Sequence, residues 1–118
     1  MILGTGVDIT EVSRLRKAVE KWGESFLNRI FTDEEIENAR KRLSLYQHLA
    51  GRFAAKEAVF KAMGDSGLNW KDVQILNDRE GKPYCKLLNG RARKVDIYIS
   101  ISHVKNYAVA NAVITQKG

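Results

Sequence analysis

The chain has one cysteine, Cys85, and one proline, Pro83. A single thiol excludes an intrachain disulfide and a cysteine-based zinc site. Beside Tyr84 and Leu87, Cys85 reads as a buried strand thiol that packs rather than reacts. No apolar run approaches the roughly 20 residues that a membrane-spanning helix needs. No charged-then-apolar leader opens the sequence. A cytoplasmic protein with no membrane partner is expected. Repeats, low-complexity tracts and linkers are also missing, and 118 residues suit one domain, 1–118, with a modest core.

What is present is positive charge. Twenty Lys and Arg stand against fourteen Asp and Glu, a formal charge of +6, which favours an anionic partner. That partner could be a nucleic acid, a phosphorylated metabolite or an acidic protein. The nucleic-acid reading lacks a zinc-finger pattern, an aromatic RNA-binding signature and a recognition-helix motif. The basic residues are also spread among acids, so no nucleic-acid partner is expected.

Met1 to Ile9 reads as a strand whose Gly4 and Gly6 mark close backbone approaches. Asp8 lies between Val7 and Ile9, either as strand-end decoration or facing a site. Thr10 to Trp22 has helical periodicity, with Leu15, Ala18, Val19 and Trp22 on one face and Arg14, Lys17 and Lys21 beside it. Gly23 ends that helix. Thr32 to Glu35 forms a capping-box pattern that opens a helix to about Leu43. A long helix follows from Leu45 to about Gly64, then a loop to Asn69. Val73–Leu76, Tyr84–Leu88, Val95–Ser102 and Ala108–Ile114 read as strands, with Asp78 to Pro83 as the turn between the first two. The order is α+β: an N-terminal strand, helices, then an antiparallel β-meander.

The long helix carries the most informative pattern. Leu49, Phe53 and Phe60 share a stripe, and Glu57 falls between it and Ala50 and Ala54, with Lys61 one turn on. A carboxylate beside aromatics is costly unless a cation, a metal or a hydrogen bond meets it. Spacing alone favours an ordinary i, i+4 pair worth about 0.2–0.5 kcal/mol. Charge offered to a ligand is the alternative.

Several blocks then coincide: Gly4-Thr-Gly-Val-Asp-Ile9 with Arg14, Arg29-Ile-Phe-Thr-Asp-Glu-Glu35, Gly51-Arg-Phe-Ala-Ala-Lys-Glu-Ala-Val-Phe-Lys61, Gly81-Lys-Pro83 and Ser100-Ile-Ser-His103. Together they resemble the holo-acyl-carrier-protein synthases, the short 4′-phosphopantetheinyl transferases, over essentially the whole chain. The resemblance implies that fold, and transfer of 4′-phosphopantetheine from coenzyme A to a serine of apo-acyl carrier protein, releasing adenosine 3′,5′-bisphosphate and supporting fatty acid biosynthesis. It implies Mg²⁺ held by Asp8 and Glu57, a hard-oxygen pair that leaves positions for phosphate and water. Lys61 matches a lysine near the pyrophosphate. Arg52, Gly64, Lys82, Pro83 and His103 match positions lining the coenzyme A groove. Arg14, Lys17 and Lys21 become a docking face for the acidic carrier, and a homotrimer with sites between neighbours is implied.

The base for the carrier serine stays open among Glu57, a water activated by a carboxylate, and Glu35. The capping box already explains Glu35, which favours a water near Glu57 or Asp8. Where the family often has Gly-Thr-Gly-Ile, this chain has Gly64-Asp-Ser-Gly-Leu68, with Asp65 near the expected phosphates. A catalytically silent relative that only binds a carrier is the remaining alternative; Mg²⁺-dependent coenzyme A binding separates the two.

Overall fold

A computed structural model describes residues 1–64 and 67–117. The elements run β1 (Ile2–Glu11), α1 (Val12–Trp22), α2 (Glu24–Ile30), α3 (Asp33–Arg40), α4 (Leu45–Met63), a 3₁₀ turn (Trp70–Asp72), β2 (Val73–Asn77), β3 (Pro83–Leu87), β4 (Val95–His103) and β5 (Tyr107–Gln116). The α+β class holds. The later strands form two antiparallel pairs in separate sheets rather than one continuous meander. β2 and β3 pair alone, and β1 joins the other pair in the order β1-β5-β4. Asp8 lies opposite Ala110, which also pairs with Ile101. β1 runs two residues beyond its expected end because Thr10 and Glu11 pair with Ala108 and Tyr107.

Glycine in β1 sets how closely α4 can approach. A Cβ on Gly4 would overlap the Ala62 carbonyl, and one on Gly6 would overlap that of Ala58. Ala54, Ala58 and Ala62 therefore meet Ala110, Ala112 and Ile114 at short range in the main core. This corrects the expected apolar stripe of α4. Its packing face is alanine, while Phe53 and Phe60 flank it, each with its ring centroid 5.0 Å from that of Trp70. A second core joins Leu15, Leu27, Phe31, Ile36 and Leu49.

α2 was not expected. Gly23, at φ +58°, ends α1 through a bond from its amide to the Val19 carbonyl (2.7 Å) and starts α2 by accepting from Leu27 (3.2 Å). At α3 the capping box forms as read, but the helix stops at Arg40, short of Leu43. Glu35 is fully buried, and it does more than cap. Oε1 accepts from Thr32 N (2.8 Å) and pairs with Lys56 Nζ (2.7 Å), while Oε2 accepts from Ile75 N (2.7 Å). Lys56 also donates to the carbonyls of Ile30 and Trp70, both at 2.9 Å. One buried ion pair thus ties α2, α3, α4 and β2 together. Burial pulls the Lys56 ammonium below its ordinary pKa, with Glu35 opposing.

The sheet face away from α4 is uncovered. Leu3, Val7, Ile9, Tyr98, Tyr107 and Val109 are all exposed on it, Val7 by 59% and Ile9 by 64%. Cys85 is half-buried on β3, and burial pushes its thiol up to about 12, in keeping with packing. No helix among the described residues is long and apolar enough to cross a membrane.

Candidate active site

The close contact of β1 with α4 ends beyond Gly6. Period-2 alternation keeps Gly4, Gly6, Asp8 and Thr10 on the same face of β1. Where side chains replace glycine, strand and helix part into a cleft of about 680 Å³ lined by Asp8, Thr10, Arg14, Phe53, Glu57 and Lys61, among others. Asp8 and Glu57, 49 residues apart in sequence, thus share one cavity with Lys61.

Hydrogen bonds fix Asp8 and Lys61. The Lys61 ammonium donates to the Val7 carbonyl at 2.9 Å and to Asp8 Oδ1 at 3.2 Å. Thr10 Oγ1 donates to Asp8 Oδ2 at 3.0 Å. Asp8 is largely buried, while Lys61 keeps about half its side chain exposed to the cleft (17% against 53%). Burial first, and the Asp8 charge second, raise the Glu57 carboxyl above its ordinary pKa, with Lys61 opposing. The two carboxylates line one cleft, and the Asp8 charge disfavours ionisation of Glu57. Among the described residues no group of three or more His, Cys, Asp or Glu side chains is placed to hold a metal ion. Any ion here must therefore complete its shell with water or ligand oxygens.

Arg52, Pro83 and His103 lie elsewhere, in a groove of about 200 Å³ shared with Arg42, His48 and Gly81. Among the described residues none lines both cavities. The reason is helical: Arg52 and Glu57 are five residues apart on α4, which separates them by about 140° around its axis. Arg52 donates to Asn77 Oδ1, and Asn77 Nδ2 donates to the Gly81 carbonyl at 2.7 Å, tying the groove to the β2–β3 turn. Burial lowers Arg52 to about 10, with Glu35 opposing and Arg42 adding to the effect, so it stays charged at neutral pH. Burial, then Arg52, Arg42 and His103, pull His48 down to about 4, so its ring is neutral at pH 7. Its buried Nε2 has no hydrogen-bond partner among the described residues.

The other expected residues sit at edges. Gly64 closes α4 at φ +70°. Lys82 is exposed on the β2–β3 turn, its amide donating to Asp78 Oδ1 at 2.9 Å. Arg14, Lys17 and Lys21 are exposed along α1, with Arg14 at the larger cleft and Lys21 Nζ 4.9 Å above the Trp22 ring. Asp65 and Ser66, the departure from the family loop, lie outside the described residues. Sequence reasoning missed Thr10, Arg42 and His48. Thr10 carried a readable signal, since it lies two residues from Asp8 on the same strand.

Comparisons with known proteins agree along the chain. A family model described as the 4′-phosphopantetheinyl transferase superfamily matches residues 4–112. A holo-[acyl-carrier-protein] synthase of Thermodesulfovibrio yellowstonii is 49% identical over 116 residues, covering 98% of this chain and 100% of the relative. Another, from Protochlamydia amoebophila, is 48% identical over 119 residues, covering 96% of this chain and 98% of its own. The crystal structure of the Bacillus anthracis synthase in complex with CoA (3′,5′-ADP) superposes with a TM-score of 0.85 at 37% identity, covering 97% of this chain and 96% of that one. The synthase structure from Neisseria meningitidis gives 0.86 at 28% identity, covering 98% of this chain and 100% of that one.

Proposed function

The chain belongs to the 4′-phosphopantetheinyl transferase superfamily, among its holo-acyl-carrier-protein synthases, and from that premise we propose how its residues divide the reaction. The enzyme transfers 4′-phosphopantetheine from coenzyme A to an acyl carrier protein. The observation that carries the proposal is the cleft that gathers Asp8, Glu57 and Lys61 from β1 and α4.

Asp8 and Glu57 are the residues that would hold a Mg²⁺ ion. The fit rests on their shared cleft and on the Asp8 charge that helps raise Glu57, a repulsion that a divalent cation offsets. When bound, the ion neutralises charge on the pyrophosphate. Lys61, held by the Val7 carbonyl and half exposed, offers its ammonium to the phosphate in transfer. The carrier serine attacks the phosphorus next to pantetheine, and the bond to the departing adenosine 3′,5′-bisphosphate breaks. The serine proton passes to a water near Glu57 or Asp8. Glu35 is no base, because its two carboxylate oxygens are engaged by three donors in a sealed core.

Arg52 and His103 bind the nucleotide end of coenzyme A, at the groove edged by Pro83 and Lys82, while Gly64 borders the phosphates. One copy holds this groove and the Asp8 cleft apart, so a complete site forms where two copies meet. The exposed apolar sheet face supports association, as a homotrimer, because a patch of this kind marks an interaction surface. Arg14, Lys17 and Lys21 dock the acidic carrier, steering encounter more than adding affinity. The product serves fatty acid biosynthesis in the cytoplasm.

The test is direct. Incubation with coenzyme A, Mg²⁺ and an apo-acyl carrier protein should add the mass of phosphopantetheine to the carrier. Asp8→Ala and Glu57→Ala should each abolish the gain. An unmodified carrier beside an active control would sink the proposal.

A further inference from the structure

The structure assigns Thr10 the role of a positioning residue that orients the Asp8 carboxylate for the cation. This inference rests on the reading of Asp8 and Glu57 as a metal pair. Thr10 and Asp8 stand two residues apart on β1 and face the same cleft. An ionised carboxylate only accepts hydrogen bonds, so the hydroxyl must donate along the 3.0 Å contact to Oδ2. Lys61 takes the other oxygen, Oδ1. The carboxylate is thereby held at both ends, from the strand and from α4.

The two anchors differ in stiffness. Lys61 is a long side chain with half its surface exposed, free to turn toward a phosphate once substrate arrives. Thr10 is buried, at 9% exposure, and branched at Cβ, which restricts its χ1 rotation. Its hydroxyl is therefore the anchor that persists when Lys61 swings away. Mg²⁺ demands near-ideal octahedral geometry, so a carboxylate free to rotate meets it poorly. Groups that orient a metal ligand typically govern 10- to 100-fold in metal affinity.

The experiment is a titration of the intact enzyme with Mn²⁺ at saturating coenzyme A, following free Mn²⁺ by its electron paramagnetic resonance signal. Thr10→Val keeps the β-branch and removes the hydroxyl; Thr10→Ser keeps the hydroxyl. Thr10→Val should raise the Mn²⁺ dissociation constant roughly 10- to 100-fold, with its melting temperature unchanged in chelator. Thr10→Ser should stay within about threefold of wild type, since the hydrogen bond survives. Asp8→Asn separates the two levels of the argument. If it binds Mn²⁺ as wild type does, the metal pair itself is misassigned and the inference falls with it. If Asp8→Asn loses Mn²⁺ while Thr10→Val binds normally, only the positioning role is overturned. A Thr10→Ser as weak as Thr10→Val also overturns it, because the loss then lies in packing.

Discussion

Substituting Glu35 with glutamine separates structure from catalysis. Wild-type Glu35 is sealed in the core with Lys56, whose side chain is also fully buried. Glu35→Gln leaves the Lys56 ammonium uncompensated and replaces an acceptor of three bonds with an amide that cannot serve all the same donors. Removing one partner of a buried pair typically costs about 3–5 kcal/mol. Near the melting temperature each kcal/mol moves a domain of this size by about 4 °C, so a drop of at least about 10 °C is expected. Catalysis should respond differently. A general base contributes about 10²–10⁴-fold, whereas Glu35 lies outside both cavities. Turnover per folded molecule, measured well below the melting transition, should fall less than about tenfold, short of that range. Calorimetry at fixed protein concentration, paired with carrier modification followed by mass spectrometry, reads both quantities. A melting temperature that holds while turnover drops more than a hundredfold would refute the argument and restore Glu35 as a base.

Two other predictions follow from the same geometry. The native state holds the Glu57 proton more tightly than the unfolded chain, because burial and Asp8 raise its pKa. The resulting stability is full below the ordinary carboxylate range and is lost as pH rises through the raised value. In chelator, Glu57→Gln should remove this slope from the melting temperature against pH; an unchanged slope contradicts the assignment. On α1, Arg14→Ala or Lys17→Ala should raise KM for the carrier about two- to fivefold, as expected of an exposed ion pair, leave kcat intact and weaken the dependence on salt. A fall in kcat at saturating carrier would argue against docking.

Local patterns made part of this molecule legible. Thr32 and Glu35 announce the α3 capping box, and Gly4 and Gly6 announce a close approach that the Ala58 and Ala62 carbonyls bear out. What depended on distant partners was hidden. Lys56 reads as one more helix lysine until the fold brings Glu35, 21 positions away, against it. The end of β1 depends on Ala108 and Tyr107 across the sheet, which override the helical period that begins at Thr10. The seven-residue α2 has no side-chain cap to announce it. Asp8 and Glu57 looked like a pair only through resemblance to a family, because no spacing rule links a strand residue to a helix residue 49 positions on. The separation of Arg52 from Glu57 was in principle readable, since five residues on a helix cannot face one way.

That separation makes the composite site the central claim, and complementation tests it most directly. Asp8→Ala disables the cleft and Arg52→Gln disables the groove, so each variant alone should be nearly inactive. Co-expressed at equal levels and purified through two different tags, they should form mixed assemblies. In a mixed trimer of either composition, one junction of the ring joins an intact cleft to a neighbour's intact groove, so roughly a third of wild-type specific activity should return. Mixed assemblies as inactive as the separate variants would show that each copy works with its own residues alone, and would contradict the account.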